Sequence, residues 1–125
     1  MLNWYNGSLS NLKKISIDDV NQNCFDLLSD KEIIMSVYRR KKVYVIFTDH
    51  KIIVCNVRGL IGRKQDYTLI PYDKITSYSV RAKASIDNDC QLEVALSGLW
   101  KVRFKFNGTC DVKSILKAIS HYHQK

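Results

Sequence analysis

The chain has 125 residues, 46% of them hydrophobic and 26% charged, enough to bury one core without help from disulfides or metals. No stretch approaches the ~18 uninterrupted apolar residues of a membrane-crossing helix, and the start MLNWYNGSLSNLKK does not show the basic-then-apolar layout of a signal peptide, so the expected address is cytoplasmic. The net charge of +8 divides into −2 over residues 1–38 and +10 over residues 39–125, a balance that suits acidic partners (anionic lipid, nucleic acid or an acidic protein face) without choosing among them.

After a polar lead, SIDDVNQNCFDLL places Ile17, Val20, Cys24, Leu27 and Leu28 at helical spacing, with Ser16 or Asp18 positioned to cap the start. This predicts a short amphipathic helix, so residues 1–30 read as lead plus N-terminal helix. From there to residue 107 the pattern is β. EIIMSVY and VYVIFT are rich in β-branched and aromatic residues and enclose the basic run Arg39-Arg40-Lys41-Lys42. TDHK turns the chain into IIVCNV, the segment RGLIGRK leads to DYTLI, and PYDK is a proline-led turn.

In ITSYSVRAKASI the even positions from Tyr78 to Ile86 are apolar, and CQLEVALS alternates through Leu92, Val94 and Leu96. WKVRFKF points Trp100, Val102, Phe104 and Phe106 one way and Lys101, Arg103 and Lys105 the other. NGT ends that strand, Thr109 is placed to cap a final helix over residues 109–123, and Val112, Ile115, Leu116, Ile119 and Tyr122 form its apolar stripe. The expectation is one mainly β domain over residues 1–125: about seven antiparallel strands in a barrel or sandwich, a capping C-terminal helix and a short N-terminal helix.

Catalysis, cofactors and metals find no support. The cysteines Cys24, Cys55, Cys90 and Cys110 form no CxxC pair and sit in apolar patterns, which predicts buried, reduced thiols. His121 and His123 lie two apart on a helix and do not face each other, and no catalytic signature accompanies them. Asp87 and Asp89 read as a solvated turn. Nucleic acid is disfavoured, because WKVRFKF puts its aromatics and its cations on opposite faces rather than together.

Two glycines three apart make GLIG, between Arg58 and Arg63-Lys64, look like a phosphate cradle. The P-loop spacing is absent, a dinucleotide fingerprint needs a following helix, and the glycine loop of KH domains joins two helices. Here β patterns flank the segment on both sides, so it reads as a strand–strand loop.

The run FTDHKIIVCNVRGLIGRKQDYTLIPYDKITSYSV resembles the bacterial pleckstrin-homology (PH-like) domain family. The resemblance rests on Phe47-Thr48, Lys51, Gly59-Leu60, Gly62, Lys64, Tyr67, Ile70-Pro71-Tyr72, Ile75 and Ser79-Val80, with Gly108-Thr109 and Asp111 before the last helix. It spans roughly residues 17–123. It implies two packed, bent antiparallel sheets plugged by a C-terminal helix, homo-oligomers that are often ring-like, and no established enzymatic activity. Tyr78 where the family carries phenylalanine, and the strongly basic stretch 39–42, are departures.

VYVIFT and IIVCNV are apolar on both parities, whereas a strand in a two-sheet domain needs only one buried face. Either the N-terminal helix or a neighbouring subunit covers the second face. On the subunit reading, Val43, Val45, Phe47, Ile53, Cys55 and Val57 are the interface positions. The sequence therefore points to a non-enzymatic assembly module acting on copies of itself. The alternative is a binder of anionic lipid or phospho-ligands through Arg39, Arg40, Lys41 and Lys42 near the first hairpin, with Arg58, Arg63 and Lys64 as weaker candidates.

Overall fold

The computed structural model describes residues 7–20, 22–58, 64–97 and 100–123. Eight strands form one curled sheet: β1 (Gly7–Ile15), β2 (Ile34–Arg40), β3 (Val43–Thr48), β4 (Lys51–Arg58), β5 (Lys64–Pro71), β6 (Ile75–Ser85), β7 (Asn88–Leu96) and β8 (Lys101–Phe106). Helix α1 (Val112–His123) follows, and the strand order is β5-β4-β3-β2-β1-β8-β7-β6.

The expected count of about seven strands misses β1, which reads as polar lead in the sequence. Its residues Gly7 to Leu12 run parallel to β8, and Lys13 to Ile15 run antiparallel to β2, so β1 joins the two halves of the sheet. The register shifts between Leu9 and Leu12, where Asn11 takes a left-handed φ of 59°. The extra residue turns Leu9 and Leu12, three apart, onto one face, and both are buried. Asparagine tolerates that conformation better than most side chains. Its Oδ1 accepts from Asn107 Nδ2 at 3.0 Å, while Asn107 N donates to Leu12 O at 2.8 Å.

The concave side holds the main core. Leu9, Leu12, Tyr38, Val45, Phe47, Ile52, Val54, Leu92, Val94, Val102, Phe104 and Phe106 meet Val112, Ile115 and Ile119 of α1. Phe47 lies edge-on to Tyr38 and Phe104, with ring centroids 5.6 and 5.7 Å away. Tyr38 also fixes the start of α1, because its hydroxyl accepts from Asp111 N at 2.8 Å. Thr109 is not the cap: it bridges to Asn88 instead, and Asp111 O accepts from Ile115 N at the helix start.

The predicted N-terminal helix is replaced by two 3-10 turns, Ile17–Asp19 and Gln22–Leu27. Ser16 does cap the first turn, its hydroxyl accepting from Asp18 N at 3.2 Å. Val20 then takes an extended backbone with ψ 139° and ends it. The segment is rich in Asp and Asn, which compete with helical hydrogen bonds. Docking Val20 and Cys24 on the sheet decides the matter: both are buried against Val37, Ile46, Ile53 and Cys55, while Ile17 is left exposed.

This second core settles how the doubly apolar strands are covered. Val43, Val45 and Phe47 face the main core, whereas Ile53, Cys55 and Val57 lie on the convex side beneath Ile15, Val20, Cys24, Phe25, Leu27 and Leu28. The six expected interface positions therefore do not share a face. Four of them (Val45, Phe47, Ile53 and Cys55) are completely buried within the chain itself. The doubly apolar parity does mark a face that needs cover, and the chain's own N-terminal segment supplies it.

Candidate interaction surfaces

The β2–β3 hairpin presents Arg39 to Lys42. Arg40 pairs with Val43, so Lys41 and Lys42 form the turn, and Lys41 takes a left-handed φ of 53°. Arg39 is already engaged: its Nε donates to Lys41 O at 2.7 Å and its guanidinium sits 5.2 Å from the centre of the Tyr44 ring. It shapes the turn as much as it offers charge. Across β1, Lys13 lies opposite Arg39 and extends the basic surface.

Arg58 closes β4 and pairs with Lys64 at the start of β5. The GLIG segment therefore joins two antiparallel strands, and the contexts that a P-loop or a dinucleotide fingerprint requires are absent. Gly59, Gly62 and Arg63 lie outside the described residues.

At the β3–β4 turn, Glu32 is the organising group. Its side chain is fully buried and its Oε1 lies 2.6 Å from Lys51 Nζ. Ser29 N donates to the same oxygen at 3.0 Å, and the Thr48 hydroxyl donates to Oε2. Burial pushes the Glu32 carboxyl up, but the hydrogen bonds from Lys51, Thr48 and Ser29 outweigh it and hold the group below the usual carboxylate range. Tyr72 donates from its hydroxyl to Thr48 O at 2.6 Å, and Asp49 Oδ1 accepts from Ile33 N at 2.9 Å. Every member of this cluster is committed to holding the turn. Among the described residues, no group of three His, Cys, Asp or Glu side chains is placed to hold a metal ion.

All four cysteines are free and buried. Cys90 and Cys110 approach to 2.8 Å between sulfurs, and burial together with Cys110 pushes the Cys90 thiol up to about 12.

Two of the exposed large apolar side chains, Leu69 and Trp100, lie together at the β5 edge of the curled sheet. β5 ends the sheet and, among the described residues, pairs only with β4. Leu69 on this strand is 45% exposed, and Trp100, ahead of β8, is 37% exposed. They rim a groove of about 330 Å³ lined also by Ile70, Pro71, Lys74, Leu96 and Ser97. Sequence alternation assigned Trp100 to the core with Val102, Phe104 and Phe106. It instead precedes the first paired residue of β8, and its carbonyl accepts from Leu96 N at 2.8 Å. Leu69 gave no sequence signal, because in DYTLI nothing distinguishes an edge strand from a central one.

A family model for the bacterial PH domain matches residues 3–123. The Bacillus subtilis (strain 168) protein YjqA is 24% identical over 123 residues, covering 94% of this chain and 98% of its own length. Among solved structures, a Shewanella loihica protein with a pleckstrin-homology domain is 25% identical, with a TM-score of 0.69 over 90% of this chain and 97% of that one. A pleckstrin homology domain from Shewanella amazonensis is 27% identical, with a TM-score of 0.54 over 80% of this chain and 82% of its own. The curled sheet closed by a C-terminal helix is thus a PH-like fold.

Proposed function

Because the chain belongs to the bacterial PH domain family, we propose that it is a non-catalytic docking module whose first partner is a second copy of itself. The observation that carries this reading is the groove at the open edge of β5, where Leu69 and Trp100 stay exposed around an apolar hollow. A strand edge that is unpaired among the described residues, beside exposed aromatic and aliphatic side chains, favours a protein partner that supplies both backbone hydrogen bonds and apolar cover. Head-to-tail use of such an edge generates rings or filaments, according to the rotation between copies. Four unpaired thiols accord with work in the cytoplasm.

Light scattering on a sizing column tests this directly. The expected result is a discrete multimer that survives high salt and that Leu69→Lys converts to monomer without loss of the folded state. A wild-type monomer across the accessible concentration range sinks the reading.

A second reading is favoured by Lys13 standing opposite Arg39 across the β1–β2 pair, which widens the hairpin's basic surface. In this case Arg40 and Lys41 attract an anionic lipid or phospho-ligand. Changing Arg39, Arg40, Lys41 and Lys42 to glutamine then abolishes salt-sensitive binding to anionic liposomes; unchanged binding removes the hairpin from consideration.

A further inference from the structure

The solvent face of β6, β7 and β8 gathers cations that are distant in the sequence. On β8, Lys101, Arg103 and Lys105 alternate with the buried Val102, Phe104 and Phe106, so all three project away from the core. The register sets Lys105 opposite Gln91 on β7, and Arg81 on β6 opposite the same Gln91 from the other side. Lys83 follows Arg81 by two positions and is exposed like it. With neighbouring strands ~4.8 Å apart, the backbones of Arg81 and Lys105 stand about 10 Å from each other on either side of Gln91.

Between them lies a hollow of about 360 Å³ whose polar lining is Arg81, Lys83, Asp89, Gln91, Lys105 and Asn107. The carboxylates nearby are occupied. Asp89 Oδ1 accepts from Gly108 N at 2.6 Å, fixed there by a left-handed turn at Asp89. Glu93 is held by Arg103, whose Nε lies 2.6 Å from its Oε2, and this pairing keeps the Glu93 carboxyl below its ordinary range. Three cations against the single Asp89 carboxylate leave two positive charges uncompensated within the hollow. That excess matches a phosphate monoester, which carries about −1.5 to −2 near neutral pH.

We infer that this hollow is an anion site for a phosphate monoester, bound by Arg81, Lys83 and Lys105, with the Gln91 amide donating from the floor. Arginine supplies the forked donors that a phosphate accepts in pairs, and the two lysines supply charge from flexible stems. Phe106 also lines the hollow but is only 2% exposed, so base stacking has no open platform there and the ligand is recognised by its phosphate. The site lies on β6–β8, away from Leu69 of β5, and does not depend on self-association.

Glycerol 3-phosphate is the probe, titrated into isotopically labelled protein and followed by amide shifts against sodium chloride at matched ionic strength. Saturable shifts are expected at Arg81 to Lys83, Gln91 and Lys105. In the double variant Arg81→Gln, Lys105→Gln, whose glutamines keep polar stems on an exposed face, binding weakens at least tenfold with the rest of the spectrum unchanged. Vesicles containing phosphatidate identify the source. Binding that glycerol 3-phosphate displaces assigns the site to a lipid headgroup, and saturable probe binding without vesicle binding assigns it to a soluble phosphate ester. The inference is overturned by shifts that chloride reproduces, by shifts confined to Arg39–Lys42, or by an unaffected double variant. Sizing the same sample reports self-association separately.

Discussion

Replacing Glu32 with glutamine removes the charge from a group the fold has fully enclosed while keeping its shape. The carboxylate side chain is 0% exposed and Lys51 is 16% exposed, so the ammonium left behind has little access to water. Breaking one partner of a buried pair costs about 3–5 kcal/mol. The partial exposure of Lys51 lets it reach solvent, which puts the expected loss near the lower end, about 3 kcal/mol. For a domain of this size that lowers the melting midpoint by roughly 12 °C. Urea titrations of wild type, Glu32→Gln, Lys51→Met and the double variant measure it, and the double-mutant cycle isolates the pair term.

The pH dependence has a definite sign. Glu32 is lowered in the folded state, so its stabilisation is complete above the ordinary carboxylate value of about 4.3. It is lost as pH falls through the lowered folded value. The gap between wild type and Glu32→Gln therefore narrows on acidification. A loss under about 1 kcal/mol near neutral pH, the worth of a surface pair, refutes the claim that this pair organises the turn. So does a gap that persists unchanged in acid.

Truncating Leu12, completely buried where β1 crosses from β8 to β2, is expected to cost about 3 kcal/mol by urea unfolding; a loss under about 1 kcal/mol means β1 is not part of the core. Gly108 has φ +80°, and a Cβ there meets nothing within 4 Å. Gly108→Ala therefore carries only the backbone penalty of about 1 kcal/mol, and a much larger fall in thermal stability points to a clash the geometry does not contain. The buried thiols, with Cys90 pushed up to about 12, resist a disulfide reagent until urea unfolds the chain; rapid labelling of the native protein contradicts that burial.

Most strands were legible because alternation is a local property: Val102, Phe104 and Phe106 announce their face without reference to anything else. β1 was hidden because a bulge at Asn11 breaks the period of two that alternation depends on. The N-terminal segment departs from its sequence pattern for the opposite reason. Ile17, Val20 and Cys24 do follow helical spacing, but docking against Ile46 and Ile53 selected 3-10 turns with an extended residue between them. The six expected interface positions divide between two faces because parity reveals that a face needs cover, not what supplies it.

The sequence by itself determined the β class, the C-terminal helix, the burial of the four cysteines and the PH-like resemblance, all properties of near neighbours in the chain. Only the tertiary structure decided which surfaces remain available. Strand register brought Arg81, Lys83 and Lys105 around one hollow, and strand order left Leu69 on an edge beside Trp100. Pairing partners are chosen by long-range closure of the sheet, and that choice leaves no mark in the periodicity of any one strand.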